Sequence, residues 1–213
     1  MRKILLLLCI LSITLTAKAQ LFSKNWIEGC YYDTAGVKHQ GLIAWDPPSA
    51  NNLFKGKGDN IFYKNGKKGE KIKLKNSEIR SFLLKNDNTM LDSFVVTKNK
   101  DFQKKPFLMV LFNNDTKIYV SYVNNSSPNM APNAAGLMMF SPGYSGNIIK
   151  YYYGTNPDSL TVLNKKNFVE IMSCLLAGKP NVVAKIKDKT FKISKLEELL
   201  YFYRTDQYPK SML

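Results

Sequence analysis

One histidine, three cysteines and 16 acidic residues are all that this chain of 213 offers to metal or acid–base chemistry. A structural zinc site needs about four Cys or His ligands, and Cys30, His39 and Cys174 lie far apart in sequence. A Ser–His–Asp arrangement would have to use His39. The one suggestive serine, in Gly143-Tyr144-Ser145-Gly146-Asn147, lacks the final glycine of a nucleophile elbow and is expected in a loop between strands. Asp33, Asp46, Asp59, Asp87, Asp92, Asp115 and Asp158 mostly stand beside Gly, Asn or Pro, where a carboxylate usually bonds its own turn backbone. Asp115 follows Asn113-Asn114 but has neither the central Gly nor the closing Glu of a helix–loop–helix calcium site. The sequence therefore calls for no metal, no cofactor and no catalytic residue. No helix-turn-helix or RNP-like pattern is present either, which argues against nucleic acid as a partner. Beyond the N-terminus there is no run of roughly 18 apolar residues that would span a membrane as a helix.

What is present begins with an export signal. Arg2 and Lys3 precede an apolar stretch from Ile4 to Leu15, and Ala17-Lys18-Ala19 is a small-x-small cleavage site. Cys9, after Leu6-Leu7-Leu8, would leave almost no apolar core before it as a lipid attachment point, so cleavage after Ala19 is expected. The chain then divides into a signal peptide at 1–19, a β-rich unit at 20–163 and a helical segment at 164–213. Export permits Cys30 and Cys174 to pair, but a predicted strand and an apolar helix face suit two buried thiols as well. Of 31 basic residues, Arg2, Lys3 and Lys18 leave with the signal, and the remaining 28 against 16 acidic residues give the mature chain a formal charge of +12. Such charge attracts polyanions and anionic headgroups weakly, although a solvated lysine-rich surface accounts for it too.

Short alternating runs dominate as far as residue 163. Trp26 to Trp45 reads as a hairpin turning at Asp33-Thr34-Ala35-Gly36. Ile61-Phe62-Tyr63 and Ile72-Lys73-Leu74 flank an Asn65-Gly66 turn, with Ile72 and Leu74 on one face and Lys71, Lys73 and Lys75 on the other. Ile79 to Leu84 and Met90 to Val96 suggest a second hairpin. Phe107 to Phe112, six apolar residues in a row, is a central-strand candidate. Ile118 to Val123 follows, then a long Asn- and Pro-rich loop, and further strands at 136–140, 148–153 and 160–163.

At Asn164 the period changes. Phe168, Ile171, Met172, Leu175 and Leu176 recur at helical spacing, with Asn164 as a cap and Gly178 as a left-handed terminator. Pro180 suits the first turn of a second helix, and Ser194 with Glu197 forms a capping-box pattern ahead of a third. The fold expected is α+β: an antiparallel barrel-like or strongly curved sheet with three short C-terminal helices packed on it.

GCYYDTAGVKHQGLIAW, EKIKLKNSEIRSF and LNKKNFVEIMSCLLAGKPNVVAKIKDKTFKISKLEELLYFY together resemble a group of uncharacterised exported proteins of Bacteroidetes, over roughly 26–45, 70–82 and 160–203. The resemblance implies a Gram-negative context, in the periplasm or peripheral at the outer membrane, and no activity, cofactor or catalytic residue.

Twelve tyrosines, interleaved with lysines on the strands, are the remaining excess. Tyrosine suits a half-buried pleated face. It also stacks on sugars beside anion-binding lysines, and Tyr144, Tyr151, Tyr153, Lys165 and Lys166 are the candidate ligand surface. The leading functional expectation is a non-enzymatic envelope protein that binds or scaffolds another surface component. The alternative is a binding module for anionic glycan or lipopolysaccharide, or a lipid headgroup.

Overall fold

The computed structural model describes residues 25–46, 58–85, 91–126, 129–132, 138–141, 145–209 and 212. The signal segment and Tyr144 lie outside them. Strands β1 (Ile27–Asp33) and β2 (Lys38–Ala44) form the hairpin the sequence predicts, paired from Ile27↔Ile43 to Tyr32↔Lys38. Gly36 turns it at φ +90°, a conformation in which a side chain would clash with its own backbone. Asp33 clasps the turn. Its Oδ1 accepts from the Val37 amide at 2.9 Å and its Oδ2 meets His39 Nε2 at 3.0 Å, while the His39 ring stacks on Tyr31 with centroids 4.5 Å apart.

The hydrogen bond from His39 and then that from Val37 hold the Asp33 carboxyl below its ordinary value. A lowered folded value means that the clasp stabilises above the unfolded carboxylate range and that this contribution is lost as pH falls through the folded value. Asp33→Asn is therefore expected to lower the melting temperature near neutral pH and to match the wild type in strong acid. Thermal melts at both extremes check this, and a deficit of equal size in acid would contradict it.

Strands β3 (Asn60–Lys64), β4 (Ile72–Lys75), β5 (Ile79–Lys85), β6 (Leu91–Val96), β7 (Phe107–Phe112), β8 (Lys117–Ser126), β11 (Ser145–Asn156) and β12 (Ser159–Leu163) extend the hairpin into a ten-stranded sheet. Its order is β12-β11-β8-β7-β6-β5-β1-β2-β3-β4, and every pair is antiparallel. β7 lies within it, as its unbroken apolar run predicts. β9 (Asn129–Pro132) and β10 (Met138–Ser141) pair only with each other.

Two expectations need correction here. The Asn-rich stretch after Val123 is not one long loop, because β8 runs to Ser126 and β9 follows. Ser145 is not in a loop, because it opens β11 opposite Ser126. A hairpin ladder satisfies backbone groups whatever the side chains are, so polar residues continue these strands past the apolar part.

The sheet is strongly curved and open. β2 stands four strands from β7, about 19 Å if the sheet were flat, yet the Trp45 ring just past β2 lies 6.2 Å from Phe107 and 4.8 Å from Phe94. Phe82, Phe94, Phe107, Ile43 and Ile61 fill this concave side. Farther along the same face, Ile118, Leu163, Tyr151 and Tyr153 meet helices α1 (Phe168–Leu175), α2 (Pro180–Lys187) and α3 (Leu196–Thr205). Arg204 ties α3 to β7 through the Leu111 carbonyl at 2.9 Å, and Lys179 donates to the Tyr203 carbonyl and to Asp206, both at 2.7 Å.

The helix ends depart from expectation in instructive ways. Asn164 does not cap α1, whose N-cap is Asn167; its Oδ1 accepts from the Lys166 amide and Asn167 Oδ1 accepts from the Asn164 amide, so two asparagines make a reciprocal box in the turn ahead of the helix. Gly178 has no positive φ; Leu176 caps α1 instead, and the Ala177 and Lys179 amides bond the Cys174 and Leu176 carbonyls, which keeps the turn right-handed. Ser194 and Glu197 form no box. Ser194 sits inside a 3-10 turn, Ile193–Lys195, closed by the Lys195 amide on the Lys192 carbonyl, and α3 starts after it. Ile72, on the edge strand β4, is 45% exposed despite sharing a face with Leu74. The two cysteines among the described residues are free, with Cys30 buried and Cys174 exposed rather than both buried.

Candidate functional site

The segment joining β6 to β7 is ten residues, 97–106, and it folds back over the convex side of the sheet. Its base is closed by the Thr97 amide on the Pro106 carbonyl at 2.8 Å. Its far side is fastened to the β11–β12 turn, where the Thr97 hydroxyl donates to the Pro157 carbonyl and the Lys98 amide donates to Asp158 Oδ1 at 2.6 Å. Asp158 thus bonds another segment rather than its own turn. Asn99 caps a 3-10 turn, Lys100–Phe102, by accepting the Asp101 amide. Phe102 is driven under this strap, 6% exposed, with Leu108 and Tyr119 beneath it and the Tyr152 ring edge-on at 4.9 Å.

Anchoring Phe102 in this way decides where the flanking lysines go. Lys100, Lys104 and Lys105 from the strap and Lys150 from β11 line one recess of about 370 Å³. Ser121, 4% exposed, is on its floor directly opposite Lys150 across the β8–β11 ladder. Asp101 is its one acidic residue. Burial, and then the charge of Lys150, push the Lys105 ammonium below its ordinary value. Burial, and then Asp101, push the Tyr152 phenol up. The recess is thus open to solvent at Lys100, Lys104 and Lys150 and half-buried at Lys105, and an anion placed there would ease the repulsion between Lys105 and Lys150.

A larger cleft of about 1010 Å³ adjoins it, and Gln103 lines both. This cleft runs between the strap and the turns at the same end of the sheet. Neutral hydrogen-bonding side chains, among them Asn76, Ser77, Ser81 and Asn99, line it together with the apolar Ile79, Val95, Val96, Pro106 and Pro157, and Tyr32 and Arg80 stand on its sheet side. The Arg80 guanidinium lies against the hairpin turn, where a Cβ on Gly36 would sit 3.4 Å from it. Asp158 is the cleft's one acidic residue, and the Lys98 amide already engages it.

The residues singled out from sequence lie elsewhere. Tyr151 and Tyr153 point to the concave side and are half-buried against the helical layer. Lys165 and Lys166 are exposed in the turn before α1. The structure therefore does not present Tyr151 and Tyr153 as an open aromatic platform beside those lysines. Residues 98–105 went unnoticed because they belong to no strand or helix pattern; the signal was four lysines in eight positions, KNKDFQKK, with one phenylalanine to anchor them.

Tyr151 instead borders a third recess of about 440 Å³ with Ser194, Glu197, Glu198 and Tyr201. Burial first, then Glu197 and Glu198, push its phenol up to about 12. Burial and then Glu198 and Asp92 push the Glu197 carboxyl up. A raised carboxyl near a second one invites comparison with a glycosidase. There, however, the two carboxyls flank the scissile bond from opposite sides, whereas Glu197 and Glu198 are consecutive on one helix. Among the described residues, no group of three or more His, Cys, Asp or Glu side chains is placed to hold a metal ion. No helix among them is long and apolar enough to cross a membrane. No family model, curated protein or solved structure matches the chain.

Proposed function

We propose that this protein is a non-enzymatic, exported component of the cell envelope that binds an anionic surface component, glycan or lipid headgroup, on the convex face of its sheet. The observation that carries this reading is the convergence of Lys100, Lys104, Lys105 and Lys150 over Ser121, held by a strap whose own hydrogen bonds fix its course. A solvated lysine-rich surface needs no such fastening. The same observation favours an anion-binding module over a general scaffold. Export rests on the N-terminal signal, and the periplasm or the outer membrane is what the resemblance to exported Bacteroidetes proteins implies. An exported product whose mass still includes residues 1–19 would contradict that assignment.

Retention on a sulfated-glycan column tests the binding site against net charge alone. Lys105→Met with Lys150→Met removes two charges from the recess, and Lys165→Met with Lys166→Met removes two from the turn before α1. The first pair is expected to elute at clearly lower salt than the second, because charges converging on one anion act together while scattered ones are screened over about 8–10 Å. Equal elution of the two variants would reduce the binding to net charge and sink the site.

A further inference from the structure

We infer that the ligand is a saccharide bearing a phosphomonoester, with the phosphate in the lysine recess and the sugar in the adjoining cleft. This inference rests on the anion-binding reading above and names its ligand class. Charge selects the anion. The recess sets four lysines against one aspartate, more than a carboxylate or a sulfate ester needs, whereas a phosphomonoester carries about −1.5 to −2 at neutral pH. The Ser121 hydroxyl on the floor adds a neutral donor for a phosphate oxygen.

The cleft selects what is attached to it. Hydroxyl-rich molecules are recognised by side-chain amides and hydroxyls that both donate and accept, and Asn76, Ser77, Ser81, Asn99 and Gln103 offer such groups beside the ring of Tyr32. The two spaces are neighbours, since Gln103 borders both and Lys98-Asn99-Lys100 runs from the lining of one to that of the other. Their volumes, about 370 and 1010 Å³, suit a phosphate in the smaller and one or more sugar rings in the larger. Strap and turns are tied together by the Thr97–Pro157 and Lys98–Asp158 hydrogen bonds, so the junction exists before a ligand arrives.

Isothermal titration of the mature chain with glucose 6-phosphate, glucose 1-phosphate, glycerol 3-phosphate and inorganic phosphate tests this. At least one sugar phosphate is expected to bind about tenfold or more tightly than both glycerol 3-phosphate and inorganic phosphate. Lys105→Met with Lys150→Met is expected to abolish binding of all four. Asn76→Ala with Ser77→Ala, both in the cleft and outside the recess, is expected to remove the sugar phosphate's advantage and to leave inorganic phosphate unchanged, a pattern that misfolding would not give. If glycerol 3-phosphate binds as tightly as the tighter of the two sugar phosphates, the cleft has no part and a lipid headgroup is the better ligand, which overturns the inference. No preference among the four, with column retention still dependent on Lys105 and Lys150, overturns the saccharide phosphate and leaves the anion site standing. Loss of that dependence as well removes both.

Discussion

Phe82→Ala is expected to destabilise the protein by about 3–5 kcal/mol, the largest loss from any single side chain on the concave face. Phe82 is fully buried. Its ring stacks on Phe94 with centroids 4.7 Å apart, meets Phe107 edge-on at 5.2 Å and lies 5.7 Å from Trp45. These four rings come from β5, β6, β7 and the end of β2, so they are the contacts that hold the sheet in its curl. Truncation leaves a cavity bounded by rigid rings on strands that cannot close over it without flattening the sheet, and cavity cost rises when a site cannot collapse. Chemical denaturation checks the value. A loss under about 1 kcal/mol, the range of ordinary surface substitutions, would mean that the curl does not depend on this cluster.

Gly29→Ala is expected to cost about 3 kcal/mol or more, at the upper end of overpacking substitutions, and to act on one seam of the sheet. A Cβ at Gly29 runs into the Leu83 carbonyl oxygen on β5, with the Ile43 side chain 3.5 Å away on the other side. Leu83 is backbone in a paired strand and cannot swing aside. β1 must therefore back away from β5, and that pairing is the one sheet step that joins β1–β4 to the rest. Amide exchange should accelerate across β1 and β5 while α1–α3 keep their protection. Uniform acceleration, or none, would contradict this account of the seam.

The course of most strands was legible because burying one face imposes a period of two, as in the β1–β2 hairpin, or an unbroken apolar run, as in β7. The switch to helical spacing after Asn164 was legible for the same reason. What escaped follows from interactions that leave little mark on side-chain periodicity. The polar ends of β8 and β11 are specified by backbone pairing with each other. Gly178 and the Ser194–Glu197 pair match capping patterns, but the local turns at Leu176 and Lys195 satisfy the backbone first. Tyr151 and Tyr153 looked available because sequence does not say which side of a strand a helical layer will cover. The candidate site escaped most fully: the Phe102 anchor on Tyr152 and the Lys98 amide on Asp158 join parts of the chain 50 and 60 residues apart, and only that closure turns a lysine-rich connection into a recess.

Chemical-shift mapping of the isotopically labelled mature protein with a sulfated oligosaccharide is the most direct test that the convex face binds anions. The account predicts the largest shifts at the amides of residues 98–105, with Ser121, Lys150 and Tyr152 following on the same side of the sheet. Shifts concentrated at Lys165 and Lys166, or spread evenly over the lysines of the whole chain, would contradict it.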